Sequence, residues 1–200
     1  MENMENMEKL ADEQLVRLYA GGNDTAFDVL LARHQGKLFS YICFIVHNRD
    51  VAEDIFQETF VKAIITIRQG RYVETGKFLA WLTRIAHNLI IDFFRQERNE
   101  NLISNDETDA DLFNNVRLAE TNIEMQMVTE QTLDDVRMLM ERLPANQREV
   151  VYMRYYQELS FKEIAEITGV SINTALGRMR YALLNLRRMA EKRDLYLAVG

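Results

Sequence analysis

The sequence predicts an all-α protein of two helical domains joined by an acidic linker. Three observations support this. The 200 residues include one proline and eight glycines, too little turn chemistry for a β-rich chain. Apolar residues make up 48 % and recur at helical spacing, enough to bury cores. The charge is segregated. Residues 1–98 carry net −2, residues 99–130 carry −7 with Arg117 as the sole cation, and residues 131–200 carry +2. The formal −7 of the whole chain thus comes mainly from its middle. That segment, rich in Asn, Asp and Glu and weakly periodic, reads as a linker.

The helices follow in order. A short helix is expected near 12–20, and Gly21-Gly22-Asn23 separates it from a long one over about 25–46. Asp50, with Glu53 three residues on, reads as the N-cap of a third helix running to about 67. A loop containing Gly70 and Gly76 precedes a fourth helix over about 77–98. Beyond the linker, a helix over 130–142 stops at Leu143-Pro144, and another covers 145–156. Ser160 and Glu163 form a capping box for a short helix, Thr168-Gly169-Val170 turns the chain, and Ser171 caps a last helix to about 192.

Each long helix has a second face. On the last helix Ala175, Met179, Ala182 and Leu186 form a stripe expected to pack on the short helix through Ile164, Ala165 and Ile167. Asn173, Gly177, Arg180 and Tyr181 point away, and Arg187, Arg188, Lys192 and Arg193 continue the basic character. A short helix, a glycine turn and a longer helix suit insertion into a major groove. On the fourth helix Phe78, Leu82, Ile85, Ala86, Leu89 and Phe93 are expected inside. Arg84, Asn88 and Arg95 share the other side, flanked by Trp81 and His87, a set able to bind phosphates and stack on unpaired bases. On the third helix Ala52, Ile55, Phe56, Phe60 and Ala63 face inward. Asp54, Gln57, Glu58 and Val61 face outward, which does not suit DNA and reads as either a solvated face or a protein-binding surface.

Enzyme chemistry finds little support. His34, His47 and His87 lack metal-ligand spacing, there is no phosphate-binding or dinucleotide loop, and Cys43 sits in the apolar run YICFIV, where a buried thiol is expected. No catalytic residue, metal or cofactor is expected. No membrane-spanning stretch is present, and the acidic start MENMENMEKL, with Met1, Met4 and Met7 all able to initiate, is unlike a signal peptide. From the residues alone, a dimeric helix-turn-helix regulator and a helical adaptor both stay open.

The order of pieces, however, resembles one family. DVAEDIFQETFVKA, then GKFLAWLTRIAHNLIIDFFRQ, then an acidic linker, then LPANQREVVYMRYYQELSFKEIAEITGVSINTALGRMRYALLNLRR is similar to the bacterial sigma-70 family of RNA polymerase factors. The resemblance is to the extracytoplasmic-function, or group 4, class, which keeps only regions 2 and 4, and INTALGRMRYAL looks like its Bacteroidetes variants. It implies a region 2 bundle over 10–98, a linker over 99–130 that passes through the polymerase, and a region 4 helix-turn-helix over 131–192. Its partners would be core RNA polymerase (the β′ clamp and the β flap), promoter DNA and an anti-sigma factor, with no direct insertion into a membrane. The setting would be cytoplasmic, at the nucleoid through polymerase or held at the inner membrane by the anti-sigma factor. Asp54, Gln57 and Glu58 would bind the clamp. Tyr72, Trp81, Arg84, Asn88 and Arg95 would recognise and open the −10 element. Ser171, Asn173, Thr174, Leu176, Gly177, Arg178, Arg180 and Tyr181 would lie at or near the −35 duplex. Many relatives have a basic residue and a serine in place of Leu176 and Gly177, so the family's usual −35 consensus does not transfer. A leucine can contact a thymine methyl, and a glycine either lets the backbone approach closely or makes no contact.

Overall fold

A computed structural model describes residues 7–73, 77–101 and 138–191. Every regular element among them is an α-helix. The chain forms two compact units. The first holds α1 (Asp12–Ala20), α2 (Asp24–Val46), α3 (Arg49–Arg68) and α4 (Phe78–Asn101). The second holds α5 (Ala145–Tyr155), α7 (Ile172–Glu191) and residues 161–165 of α6 (Phe161–Thr168). Most of the expected linker, and the start of the helix expected from 130, lie outside the described residues. Residues 138–141 are helical and end before Pro144.

The breaks have local causes. Gly22, at φ 98°, occupies a conformation that side chains rarely adopt, and it separates α1 from α2. α2 ends on His47 in the left-handed region, its N–H donating to the Cys43 carbonyl. The cap of α3 differs from expectation. Asn48 Oδ1 accepts from the N–H groups of Asp50 (3.0 Å) and Val51 (3.2 Å). Asp50 sits inside the first turn instead, where its carboxylate faces the positive end of the helix dipole. α4 runs on to Asn101, three residues into the segment read as linker.

In the first unit α2 packs on α1, α3 and α4, and α3 packs on α1 and α4. Leu15, Leu30, Leu38, Tyr41, Ile42, Ile45, Ile67, Phe78, Leu82 and Ile90 are almost fully buried. The inward side of α4 is rotated from the expected stripe. Thr83, His87, Ile90 and Phe94, spaced i, i+4, i+7 and i+11, are buried with Leu82, Ala86 and Leu89, whereas Ile85 and Phe93 are half-buried. His87 therefore does not flank the exposed basic face. Its Nδ1 lies 3.3 Å from the Tyr41 hydroxyl, in the core between α2 and α4. Phe56 of α3 is likewise half-buried, edge-on to Phe39 and Phe60.

In the second unit the expected caps of α6 and α7 are in place. Ser160 and Glu163 satisfy each other's backbone N–H groups (2.7 and 3.2 Å), and Ser171 Oγ accepts from Thr174 N–H at 3.1 Å. Gly169, at φ 66°, makes the turn between them. The stripe Ala175, Met179 and Ala182 is buried, with Leu186 half-buried. Its main partner is α5, not α6 as the sequence suggested, and Asn185 Nδ2 donates to Gln147 Oε1 of α5 at 2.9 Å. α5 has eleven residues against eight for α6, about one turn more of helix to lay along α7.

One polar cluster ties the segment before α1 to α2. Arg33 donates to the Asp12 carboxylate and to the carbonyl oxygens of Glu8 (3.0 Å) and Leu10 (3.1 Å). The buried His34 places Nε2 2.8 Å from the other Asp12 oxygen. Burial raises the Asp12 pKa, but hydrogen bonds and charge from His34 and Arg33 outweigh it and hold the carboxyl below its ordinary value of 3.8. Such a group stabilises the fold above that value and loses its contribution as pH falls through its lower folded value. Asp12→Asn is expected to cost about 1–2 kcal/mol near neutral pH. In thermal melts the gap to the wild type should close only below pH 3.8.

Candidate functional site

Three outward faces combine exposure with distinctive chemistry. The first is on α3. Thr59, whose Oγ1 donates to the Ile55 carbonyl at 2.7 Å, is buried with Ile55, Phe60, Ala63 and Ile67. That packing leaves Asp54, Gln57, Glu58 and Val61 on the exposed side. The face continues one turn further to Ile65, which the sequence reading missed although it lies four residues from Val61. Val61 is 52 % and Ile65 44 % exposed. Lys62 pairs with Glu58 at 3.0 Å, a solvent-exposed contact worth little by itself. An acidic rim around exposed β-branched side chains fits a protein surface carrying arginine and apolar groups.

The second face joins the loop after α3 to the start of α4. Phe78 is buried and forms the floor. Tyr72 and Trp81, both half-buried, meet above it at nearly a right angle, with ring centroids 4.7 Å apart. Phe78 stands 6.1 Å from Tyr72 and 5.5 Å from Trp81, and His34 of α2 supports Phe78 from below at 5.5 Å. The sequence thus brings two aromatic rings, separated by the loop, onto one surface. Arg84 and Asn88 are exposed one and two turns beyond Trp81 along α4. Arg95 lies two turns further and is exposed, with only a 3.6 Å surface contact to Asp92. Aromatic faces followed by a cation, an amide and a second cation suit a single strand: bases stack and phosphates are neutralised.

The third face is on α7. Asn173, Thr174, Leu176, Arg180 and Tyr181 are exposed. Gly177 and Arg178 are half-buried, Arg178 toward the edge of the face. Ser171 is exposed, but its hydroxyl is engaged in the cap and lies 2.9 Å from Thr174 Oγ1. Ile172, Leu184, Arg187 and Arg188 extend the exposed surface. Ile172 and Leu184 were missed because apolar residues on a helix are ordinarily assigned to its core.

Burial raises the Cys43 pKa, with Arg49 pulling down and Glu53 up, so its thiol is further from the reactive thiolate than usual. Among the described residues no group of three potential ligands could hold a metal ion, and no helix is long and apolar enough to cross a membrane.

Comparison with known proteins gives the family. The family model Sigma-70 region 2 matches residues 30–100, and Sigma-70, region 4 matches residues 133–184. The ECF RNA polymerase sigma-E factor of Haemophilus influenzae is 28 % identical over 93 % of this chain and 96 % of its own length. The ECF RNA polymerase sigma factor SigW of Bacillus subtilis is 26 % identical over 94 % of this chain and 100 % of its own. Among solved structures, the sigma factor RpoE of Bartonella quintana, crystallised with the anti-sigma factor NepR, shares the fold. Its TM-score is 0.67 at 23 % identity, covering 82 % of this chain and 96 % of that one.

Trp81 is the only tryptophan and so reports on the aromatic pair directly. Tyr72→Ala should uncover its indole and move the fluorescence emission to longer wavelength. Tyr181→Ala, on α7, should leave the emission unchanged.

Proposed function

The chain belongs to the sigma-70 family, in its extracytoplasmic-function class, and from that membership we infer that it is an alternative sigma factor. It is not an enzyme. It binds core RNA polymerase and directs initiation at specific promoters. The observation that best supports this is the meeting of Tyr72 with Trp81 beside Arg84 and Asn88. A duplex-binding regulator has no use for an aromatic corner fit for unstacked bases.

The roles divide by chemistry. Asp54, Gln57 and Glu58, with Val61 and Ile65 among them, bind the β′ clamp. Tyr72 and Trp81 receive a base flipped from the non-template strand of the −10 element, Asn88 hydrogen-bonds it, and Arg84 and Arg95 hold the adjoining phosphates. Flipping costs a few kcal/mol of stacking, which these contacts must offset. Asn173, Thr174, Leu176, Gly177, Arg180 and Tyr181 face the −35 duplex, with Arg178 and Ser171 at the edge. Region 2 is taken to span 10–98, the acidic linker 99–130 and region 4 131–192, the last also meeting the β flap. The protein works in the cytoplasm, and an anti-sigma factor holds it inactive until a signal arrives.

Reconstitution with core RNA polymerase separates these roles. Asn88→Ala should reduce promoter opening about tenfold, the scale of one lost base contact. Permanganate reactivity of unpaired thymines reads that loss, while polymerase affinity stays unchanged. Asp54→Ala combined with Gln57→Ala should weaken polymerase binding and leave opening intact once the protein is saturating. If both variants fail equally in both assays, the division of roles is wrong.

A further inference from the structure

We infer that α7 reads thymine methyl groups: Leu176, with Ile172 one turn before it, is a specificity-determining residue packing on the methyl edge of thymines in the −35 duplex, and Gly177 lets the helix backbone come close enough for that contact. The inference rests on α7 being the −35 face. Ile172 and Leu176 are 46 % and 43 % exposed, and they lie on the first two turns of α7, the part of such a helix that reaches base edges. Asn173 and Arg180, three residues before and four after Leu176, share its side of the helix and are exposed. An apolar side chain set between two hydrogen-bonding ones cannot serve a phosphate. The C5-methyl of thymine is the one apolar group that the major groove presents.

Gly177 bears on the same point. A Cβ there would meet nothing within 4 Å, so no neighbour in the chain requires a glycine. Glycine is also the poorest helix-interior residue after proline. An open helical glycine is not in itself a signal, since Gly36 of α2 is equally open. Gly177 differs in its surroundings: Asn173 and Tyr181, one turn to either side, and Arg180 stand exposed around it and make it the floor of a notch. A notch in a helix face admits whatever that face docks against.

The test uses full-length protein with core RNA polymerase on a promoter located by start-site mapping. Its −35 element is rebuilt with uracil for thymine, which removes the methyl alone. The wild type should lose about threefold to tenfold in promoter affinity, the worth of one or two buried methyls. Leu176→Ala should lose most of that difference between thymine and uracil templates, and Leu176→Ala with Ile172→Ala should bind both equally. Gly177→Ala should melt at a higher temperature than the wild type yet initiate less well. Equal use of both templates by the wild type, or undiminished discrimination in Leu176→Ala, overturns the inference. So does Leu176→Ala weakening polymerase binding with discrimination intact, which would make the stripe a protein-docking face. A wild type that binds core polymerase but starts transcription nowhere fails the sigma-factor reading itself, a separate result.

Discussion

The packing of α2 against α1, α3 and α4 is the constraint on which the first unit depends. Leu30, Leu38, Tyr41, Ile42 and Ile45 turn almost their whole surface inward, and each surrounding helix must turn an apolar side to meet them. A helix has one circumference, so burying one side settles which residues remain outside. On α3 that leaves an acidic side with Val61 and Ile65. On α4 it leaves Arg84, Asn88 and Arg95 beyond Trp81. Neighbouring helices of one small bundle thus present opposite charge without any special device. The same core supports the aromatic corner: His34 on α2 braces Phe78, and Phe78 carries Tyr72 and Trp81.

The second unit repeats the logic. α7 gives Ala175, Met179 and Ala182 to the interior, mainly against α5, and presents the other side outward. Its small buried residues let the helices approach closely, and the cap at Ser171 sets where the outward face begins. An acidic protein can still present a DNA-reading face, because screening confines exposed charges to about 8 Å at physiological ionic strength. What matters is which charges share a surface, and the excess of carboxylates falls between residues 99 and 130. In the proposed role polymerase would supply much of the affinity, leaving region 4 to supply specificity more than strength.

Most of the architecture was legible in the sequence because its signals are local. The glycine breaks, the Ser160–Glu163 box and the Ser171 cap operate within a few residues. The errors lie where tertiary packing decides. The α3 cap went to Asn48 because the helix begins at Arg49, one residue before Asp50, which leaves the N–H groups of Asp50 and Val51 free for Asn48 Oδ1. His87 looked like a polar flank, but the period of α4 carries it into the core, where the Tyr41 hydroxyl meets it. The outward residues of α3, α4 and α7 followed from periodicity. The meeting of Tyr72 and Trp81 did not, since the intervening loop has no period from which to read it. Ile65, Ile172 and Leu184 went unnoticed for a related reason: an apolar residue signals a core until the helix around it has been oriented.

The central claim is that promoter recognition here belongs to a protein that works on polymerase and not alone. The most direct measurement compares promoter affinity for the free protein and for its complex with core polymerase, on one duplex at one salt concentration. The account predicts that the free protein shows only non-specific binding, with Kd about 10⁻⁶–10⁻⁴ M, while the complex binds tightly and protects both elements. Equally tight, sequence-specific binding by the free protein, at a palindromic site, would contradict it and make the chain a dimeric helix-turn-helix regulator.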